Sequence, residues 1–203
     1  TDHLIGAIWL VRVIGHQFDR SGRTTPLHVY GHASVLETFR TICNLLVGGQ
    51  VLSHFDKDII FHAVESGDTH TIGHWQVTFF DTGAAKTTQY GWRATLENGK
   101  TLVFLGDEPL TDVGLPYAKN ADYLVHEAMC LEADADKYHP HRIHHSSVVD
   151  AANNATRAGA KHLILFHAED KDLDTRKARY TAEAAAHFDG PVDAPDDLDV
   201  FIL

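Results

Sequence analysis

Residues 162–167 read His162-Leu163-Ile164-Leu165-Phe166-His167, an apolar run that stops at an imidazole. Two other runs have the same design. Leu102-Val103-Phe104-Leu105 leads into Gly106-Asp107, and Asp122-Tyr123-Leu124-Val125 leads into His126-Glu127-Ala128. Short apolar runs read as buried strands, and α/β sheets build their sites at the carboxyl ends of such strands. Taken singly, Asp107 is also explained as a turn residue after Gly106. Glu127 could be a solvated strand end, and His167 a satisfied strand-end histidine. Three such ends together, all of metal-ligand type, point to a metal site. The 16 His among 203 residues agree with this, since neutral imidazole is the commonest metal ligand.

Around these runs the periodicity alternates between strand and helix. Leu27 to Tyr30 and Asp58 to Val64 read as strands. Trp75, Val77 and Phe79 alternate with Gln76, Thr78 and Phe80, a half-buried strand. Asn98-Gly99 lies between residues 92–97 and 100–105 and predicts a hairpin. Val35, Leu36, Phe39, Ile42, Cys43 and Leu46 have helical spacing, with Ser34 and Glu37 as a capping box and Gly48-Gly49 as the stop. Ser147 to Arg157 predicts an Ala-rich helix closed by Gly159, and Asp174 to Phe188 a helix closed by Gly190. Asp199 to Leu203 predicts a last strand. Hairpin strands early and strand–helix–strand units late imply α/β (α+β) architecture, with helices on mixed sheets.

Composition narrows the function. At 203 residues the chain is one ordinary domain or two small ones, with 44% hydrophobic and 22% charged residues. Lys+Arg is 17 against 28 Asp+Glu, a net charge of −11. That argues against a broad basic grip on nucleic acid, though a local cationic site can still hold one phosphate. The longest apolar run, Leu4 to Val11, falls short of the ~20 residues of a bilayer span, so no membrane is expected. Cys43 and Cys130 make no disulfide framework, and a reduced, cytoplasmic setting is expected.

Four His fall within 139–145, in the stretch Tyr138-His139-Pro140-His141-Arg142-Ile143-His144-His145-Ser146-Ser147. Pro140 and the lack of i, i+4 spacing argue against a local metal tract. One functional residue, His145, is expected, just before a helix whose N-terminus favours an anion.

G-D-E-P at 106–109, H-E-A at 126–128, H-S-S at 145–147 and L-I-L-F-H at 163–167 occur in one order. With P-L-H-V-Y-G at 26–31 and Q-Y-G-W at 89–92, they resemble the metallo-β-lactamase superfamily, specifically its ribonuclease Z-like phosphodiesterase branch. The resemblance spans essentially the whole chain. It implies a single domain over 1–203 with an αββα sandwich of mixed sheets flanked by helices. It also implies that strands preceding Thr1 are missing, because Thr1-Asp2-His3 matches only the end of the family's H-x-H-x-D-H motif. A homodimer, or a second chain completing the fold, is the corresponding expectation. So is cover for the apolar run Leu4, Ile5, Ile8, Trp9 and Val11, which opens a helix.

By the same resemblance the metal ligands are Asp2, His3, Asp107 and His167, a set suited to Zn, with Mn or Fe as alternatives. The other metal of the family's pair keeps only Asp107. The loop that should supply it a His reads Asp81-Thr82-Gly83-Ala84-Ala85-Lys86, and Gly83 is the nearest match to the lost ligand. His74 lies a strand away, about 20 Å at ~3.3 Å per residue.

The resemblance implies water-mediated phosphodiester hydrolysis. His145 contacts the phosphate or protonates the leaving alkoxide, Glu127 orients His145, and Asp2 orients the attacking water. Only 24 positions separate Gly83 from Asp107 (107 − 83), enough for the hairpin and no tRNA-gripping arm. A small phosphodiester or short nucleic acid is therefore the expected substrate. Two alternatives stand beside it: a non-catalytic partner subunit, and a hydrolase of another ester or thioester bond.

Overall fold

The computed structural model describes residues 2–169 and 172–203, and only the backbone of Asp2 and His3. The described chain divides into two units, 1–65 and 66–203. The first contains α1 (Asp2–Arg20), β1 (Leu27–Gly31), α2 (Ala33–Leu46), α3 (Gly49–Leu52) and β2 (Ile59–Ala63). β1 and β2 pair in parallel, Leu27 against Ile59 through Gly31 against Ala63. Ile8 and Val11 of α1 bury against Phe39, Cys43, Val47, Val51 and Ile59. A Cβ at Gly15 would lie 2.4 Å from Val51 Cγ1, so glycine is what lets α1 approach this closely. The expected apolar run is thus half covered within its own unit, while Ile5 and Trp9 stay 61% and 62% exposed.

The second unit contains β3 (Thr69–Ile72), β4 (Trp75–Asp81), β5 (Tyr90–Thr95), β6 (Thr101–Phe104), α4 (Leu115–Ala118), β7 (Tyr123–Glu127), α5 (Ala135–Tyr138), α6 (Val148–Ala158), β8 (Leu163–Phe166), α7 (Leu173–Ala185) and β9 (Val192–Asp193). They form one seven-stranded mixed sheet in the order β3-β4-β5-β6-β7-β8-β9. Pairing is antiparallel from β3 to β6 and parallel from β6 to β9. The Asn98-Gly99 hairpin forms as expected, with Gly99 at φ 78° and Leu96 N–H donating to Lys100 O at 2.9 Å.

Val103, Leu124, Leu163 and Leu165 face α6, whose Ala151, Ala152, Ala155 and Ala158 are fully buried against them. Alanine is what the close helix–sheet contact admits. α6 starts at a capping box, Ser147 with Asp150, and stops at Gly159 with φ 67°. This is a mixed α/β fold with a mixed sheet flanked by helices, as the sequence implied.

Local expectations fail at four places. The N-cap of α2 is His32, whose Nδ1 accepts from Val35 N, so Ser34 and Glu37 are not its capping box. α2 ends at Leu46 and Gly48 precedes α3 instead of stopping α2. α7 ends at Ala185, before Phe188 and Gly190. Residues 199–203 form no strand. The last strand is β9, held beside β8 by Leu163 against Val192. β3 was not expected: its Thr-His-Thr-Ile sequence is too polar to signal a strand, and it forms by pairing with β4 across Gly73.

Candidate metal centre

β6, β7 and β8 are neighbours and run the same way, with Phe104 opposite Val125 and Glu127 opposite Phe166. Their carboxyl ends therefore meet at one edge of the sheet. After β6 the chain turns at Gly106, φ 73°, and presents Asp107. After β8, His167 takes a left-handed φ of 58°. A non-glycine residue there is strained, and such strain clusters at functional sites.

His145 arrives on a segment laid beside the extension of β7. Met129 N donates to Ser146 O at 2.9 Å, and Val148 N donates to Cys130 O at 2.9 Å. His144, at φ 60°, turns the chain out of a short 3₁₀ stretch (Pro140–Ile143) so that His145 N–H returns to Pro140 O.

The three side chains converge. His167 Nδ1 lies 3.1 Å and His145 Nδ1 3.4 Å from Asp107 Oδ1. The rings of His145 and His167 stack at 5.3 Å. One ligand atom from each of Asp107, His145 and His167 lies within 4.8 Å of the others. Among the described residues this is the one group of three or more potential His, Cys, Asp or Glu ligands so gathered.

Glu127 stands behind His145 and is fully buried. Its Oε1 accepts from Ser146 N at 2.6 Å, and its Oε2 lies 3.5 Å from His145 Nδ1. Buried carboxylates are rare without a partner. The nearby Glu127 carboxylate is the main influence raising the pKa of His145; burial opposes it and the charge of Asp107 adds to it.

The neighbouring residues have structural roles that the motif reading did not separate. His126 is fully buried; its Nδ1 donates to Glu127 O at 2.6 Å. Its Nε2 accepts from Leu110 N at 3.3 Å and Asn154 Nδ2 at 3.1 Å. Burial lowers its pKa, so it is a neutral brace beneath the site. Glu108 is also buried, which raises its pKa, and its Oε1 accepts from Gln89 Nε2 at 3.2 Å. His141 bonds Asp150 at 2.6 Å. Of the four His in 139–145, His145 is the one that joins the cluster.

Of the expected ligands, Asp107 and His167 come together, and His145, expected as a phosphate or proton contact, joins them. The side chains of Asp2 and His3 lie outside the described residues. Gly83 cannot simply be refitted with a ligand. It sits at φ 71°, and a Cβ would lie 2.9 Å from Val113 Cγ2. His74 pairs with Glu97 at 3.6 Å, next to the end of β4 where Gln76 faces Thr95, away from the loop that follows Asp81.

One carboxylate and two imidazoles, gathered at a half-buried edge, suit a divalent cation of the Zn, Mn or Fe kind. His145 Nδ1 and Glu127 Oε2 are buried atoms without a hydrogen bond among the described residues, which fits a site built for a further polar group. Fold and site together define an α/β protein with a candidate His/Asp metal site at its strand ends. A family model described as beta-lactamase superfamily domain matches residues 1–168, and the chain belongs to the metallo-β-lactamase superfamily, where it is ribonuclease Z-like.

The ribonuclease Z of Myxococcus xanthus (strain DK1622) is 26% identical over 241 residues, covering 97% of this chain and 76% of that protein. That of Geobacillus kaustophilus (strain HTA426) is 36% identical over 92 residues, 45% of this chain and 29% of its own length. Two solved structures share the fold. One is human tRNase Z, short form (TM-score 0.66, 19% identity, 98% of this chain and 73% of that one). The other is the metallo-beta-lactamase fold protein YhfI from Bacillus subtilis (0.61, 24%, 82% and 61%). The chain thus spans about three fifths of YhfI and under a third of the Geobacillus relative. The family and these relatives support a metal-dependent hydrolase. No described helix is long and apolar enough to cross a membrane.

Proposed function

We propose that this protein is a metal-dependent phosphodiesterase, acting on a small phosphodiester or short nucleic acid. The observation that carries the reading is the Asp107–His145–His167 cluster with Glu127 buried behind it. Asp107 and His167 hold the metal, Asp2 and His3 complete its ligands, and Zn is the ion of choice. A bound divalent cation supplies Lewis acidity and a hydroxide-yielding water near neutral pH.

The chain's own residues do the rest. Glu127 fixes the ring of His145 and favours its protonated form. His145 binds the phosphate through that proton and delivers it to the leaving alkoxide. Asp2 orients the attacking water. His126 stays neutral and keeps Glu127's backbone in place.

The test is hydrolysis of bis(4-nitrophenyl) phosphate by the full chain, before and after chelation and on return of Zn or Mn. Turnover should depend on metal. His145→Ala should lower kcat by about 10²–10⁴, the range of a lost general acid, on a dinucleotide whose leaving group is an alkoxide, and far less on bis(4-nitrophenyl) phosphate, whose nitrophenolate leaves without a proton. Wild-type turnover of the dinucleotide by Glu127→Ala, or hydrolysis confined to neutral esters and thioesters, would reject the reading.

A further inference from the structure

The loop that lacks the family's histidine is nevertheless built and aimed. Thr82 N–H and Oγ–H both donate to Gln89 O, at 2.9 and 3.0 Å, and close the loop at its base. Gly83 N donates to Asp81 Oδ1 at 2.8 Å. Thr111 Oγ1 donates to Thr82 O and pins the base to the segment after Asp107. Residues 83–88 form the tip, and Lys86 sits in it, exposed to solvent. Its Nζ donates to the carbonyl oxygen of Ile143, two residues before His145. Its charge is near enough to be felt at both Glu108 and His145. An ammonium is therefore held at the rim of the metal centre by a loop that contributes no metal ligand.

Charge makes this position matter. The protein carries −11 overall, which repels an anionic substrate at long range. A single fixed cation at the mouth of a site counters that locally. Lys86 has three donors and gives one to Ile143, so two remain for an oxyanion.

We infer that Lys86 is a substrate contact: its ammonium, tethered to the Ile143 carbonyl, takes a non-bridging oxygen of the phosphodiester beside His145 and biases the site toward anionic over neutral esters. For the identity of the substrate this rests on the phosphodiesterase reading above. The loop thus offers a cation to the substrate where the family's loop offers an imidazole to a metal.

The experiment pairs binding with turnover. Inorganic phosphate is titrated calorimetrically into wild type, Lys86→Met and Lys86→Arg, each metal-free and Zn-loaded. The KM and kcat of bis(4-nitrophenyl) phosphate and of neutral 4-nitrophenyl acetate are then measured. Loss of one charge-assisted hydrogen bond should weaken phosphate binding in Lys86→Met about ten-fold or more. The diester KM should rise in step, kcat should stay within about two-fold, the acetate KM should not move, and Lys86→Arg should recover most of the loss. Unchanged phosphate affinity overturns the inference. So does an equal rise in both KM values, which would mark Lys86 as a brace acting through Ile143. Phosphate affinity that depends on Lys86, in a protein that turns over no phosphodiester, supports the contact and overturns the phosphodiesterase reading instead.

Discussion

His145 has two available roles at the one position it occupies. Its Nδ1 is 3.4 Å from Asp107 and 3.5 Å from Glu127, close enough to join a metal's ligands or to carry a proton between two carboxylates. The two roles separate in metal uptake. If His145 serves the substrate, His145→Ala keeps Zn affinity within about three-fold while turnover collapses, whereas Asp107→Asn and His167→Ala lose the ion. First-sphere losses exceed the 10–100-fold typical of supporting residues. Equilibrium dialysis of the three variants decides it, and a loss in His145→Ala equal to that in His167→Ala would make His145 a ligand. At this scale the sequence was legible where chemistry is carried by residue type at a strand end, as at Asp107 and His167. It was not legible for His126 and Glu108. Their roles depend on burial and on partners such as Leu110, Asn154 and Gln89, brought in by the fold.

The strands that deliver these residues are tied together at their other end by Asp122. Its Oδ2 accepts from Thr101 N at 2.7 Å, and its Oδ1 takes Lys161 Nζ at 2.8 Å, linking the starts of β6, β7 and β8. Lys161, with the Thr101 bonds, lowers the Asp122 pKa from 3.8 to about 2. A lowered folded-state value means the charged form is favoured by folding. The stabilisation is complete above about pH 4 and is lost as the pH falls through about 2. It is worth about 2 kcal/mol at most, at 1.36 kcal/mol per pH unit. Asp122→Asn should therefore lower stability by about 1–2 kcal/mol at pH 7 in urea titrations and by almost nothing near pH 2. An equal loss at both pH values would assign the effect to packing.

Elements were legible where apolar periodicity coincides with a terminator of its own, as in α6 between Ser147 and Gly159. They were misread where a side chain from outside the motif intervenes. His32 caps α2 in place of Ser34 because its ring reaches Val35 N. Residues 199–203 read as a short apolar run after Asp199, yet Lys177 holds Asp199 at 2.5 Å and Asn98 donates to Leu203 O at 3.2 Å, with no strand alongside.

For the molecule as a whole, the proposed metal ligands come from distant parts of the chain. Asp107, His145 and His167 all belong to the unit spanning 66–203, whereas Asp2 and His3 open the helix of the other. A ligand stabilises whatever binds it by RT ln(1 + [L]/Kd), about 2.7 kcal/mol at a hundred times Kd. If the metal is held by Asp107, His145 and His167 alone, that stabilisation falls on residues 66–203, and amides of α1 should exchange at the same rate with and without Zn. If Asp2 and His3 share the ion, as proposed, α1 must be held in place for the ion to bind. Its amides should then slow with metal along with those of β6 to β8. Hydrogen exchange read by mass spectrometry on wild type and an Asp2→Asn/His3→Ala double variant separates the cases. Under the proposal the double variant loses protection in residues 2–20 and keeps a weaker metal response in 66–203. Metal-independent exchange of α1 in the wild type would remove Asp2 and His3 from the ligand set and leave a three-residue centre.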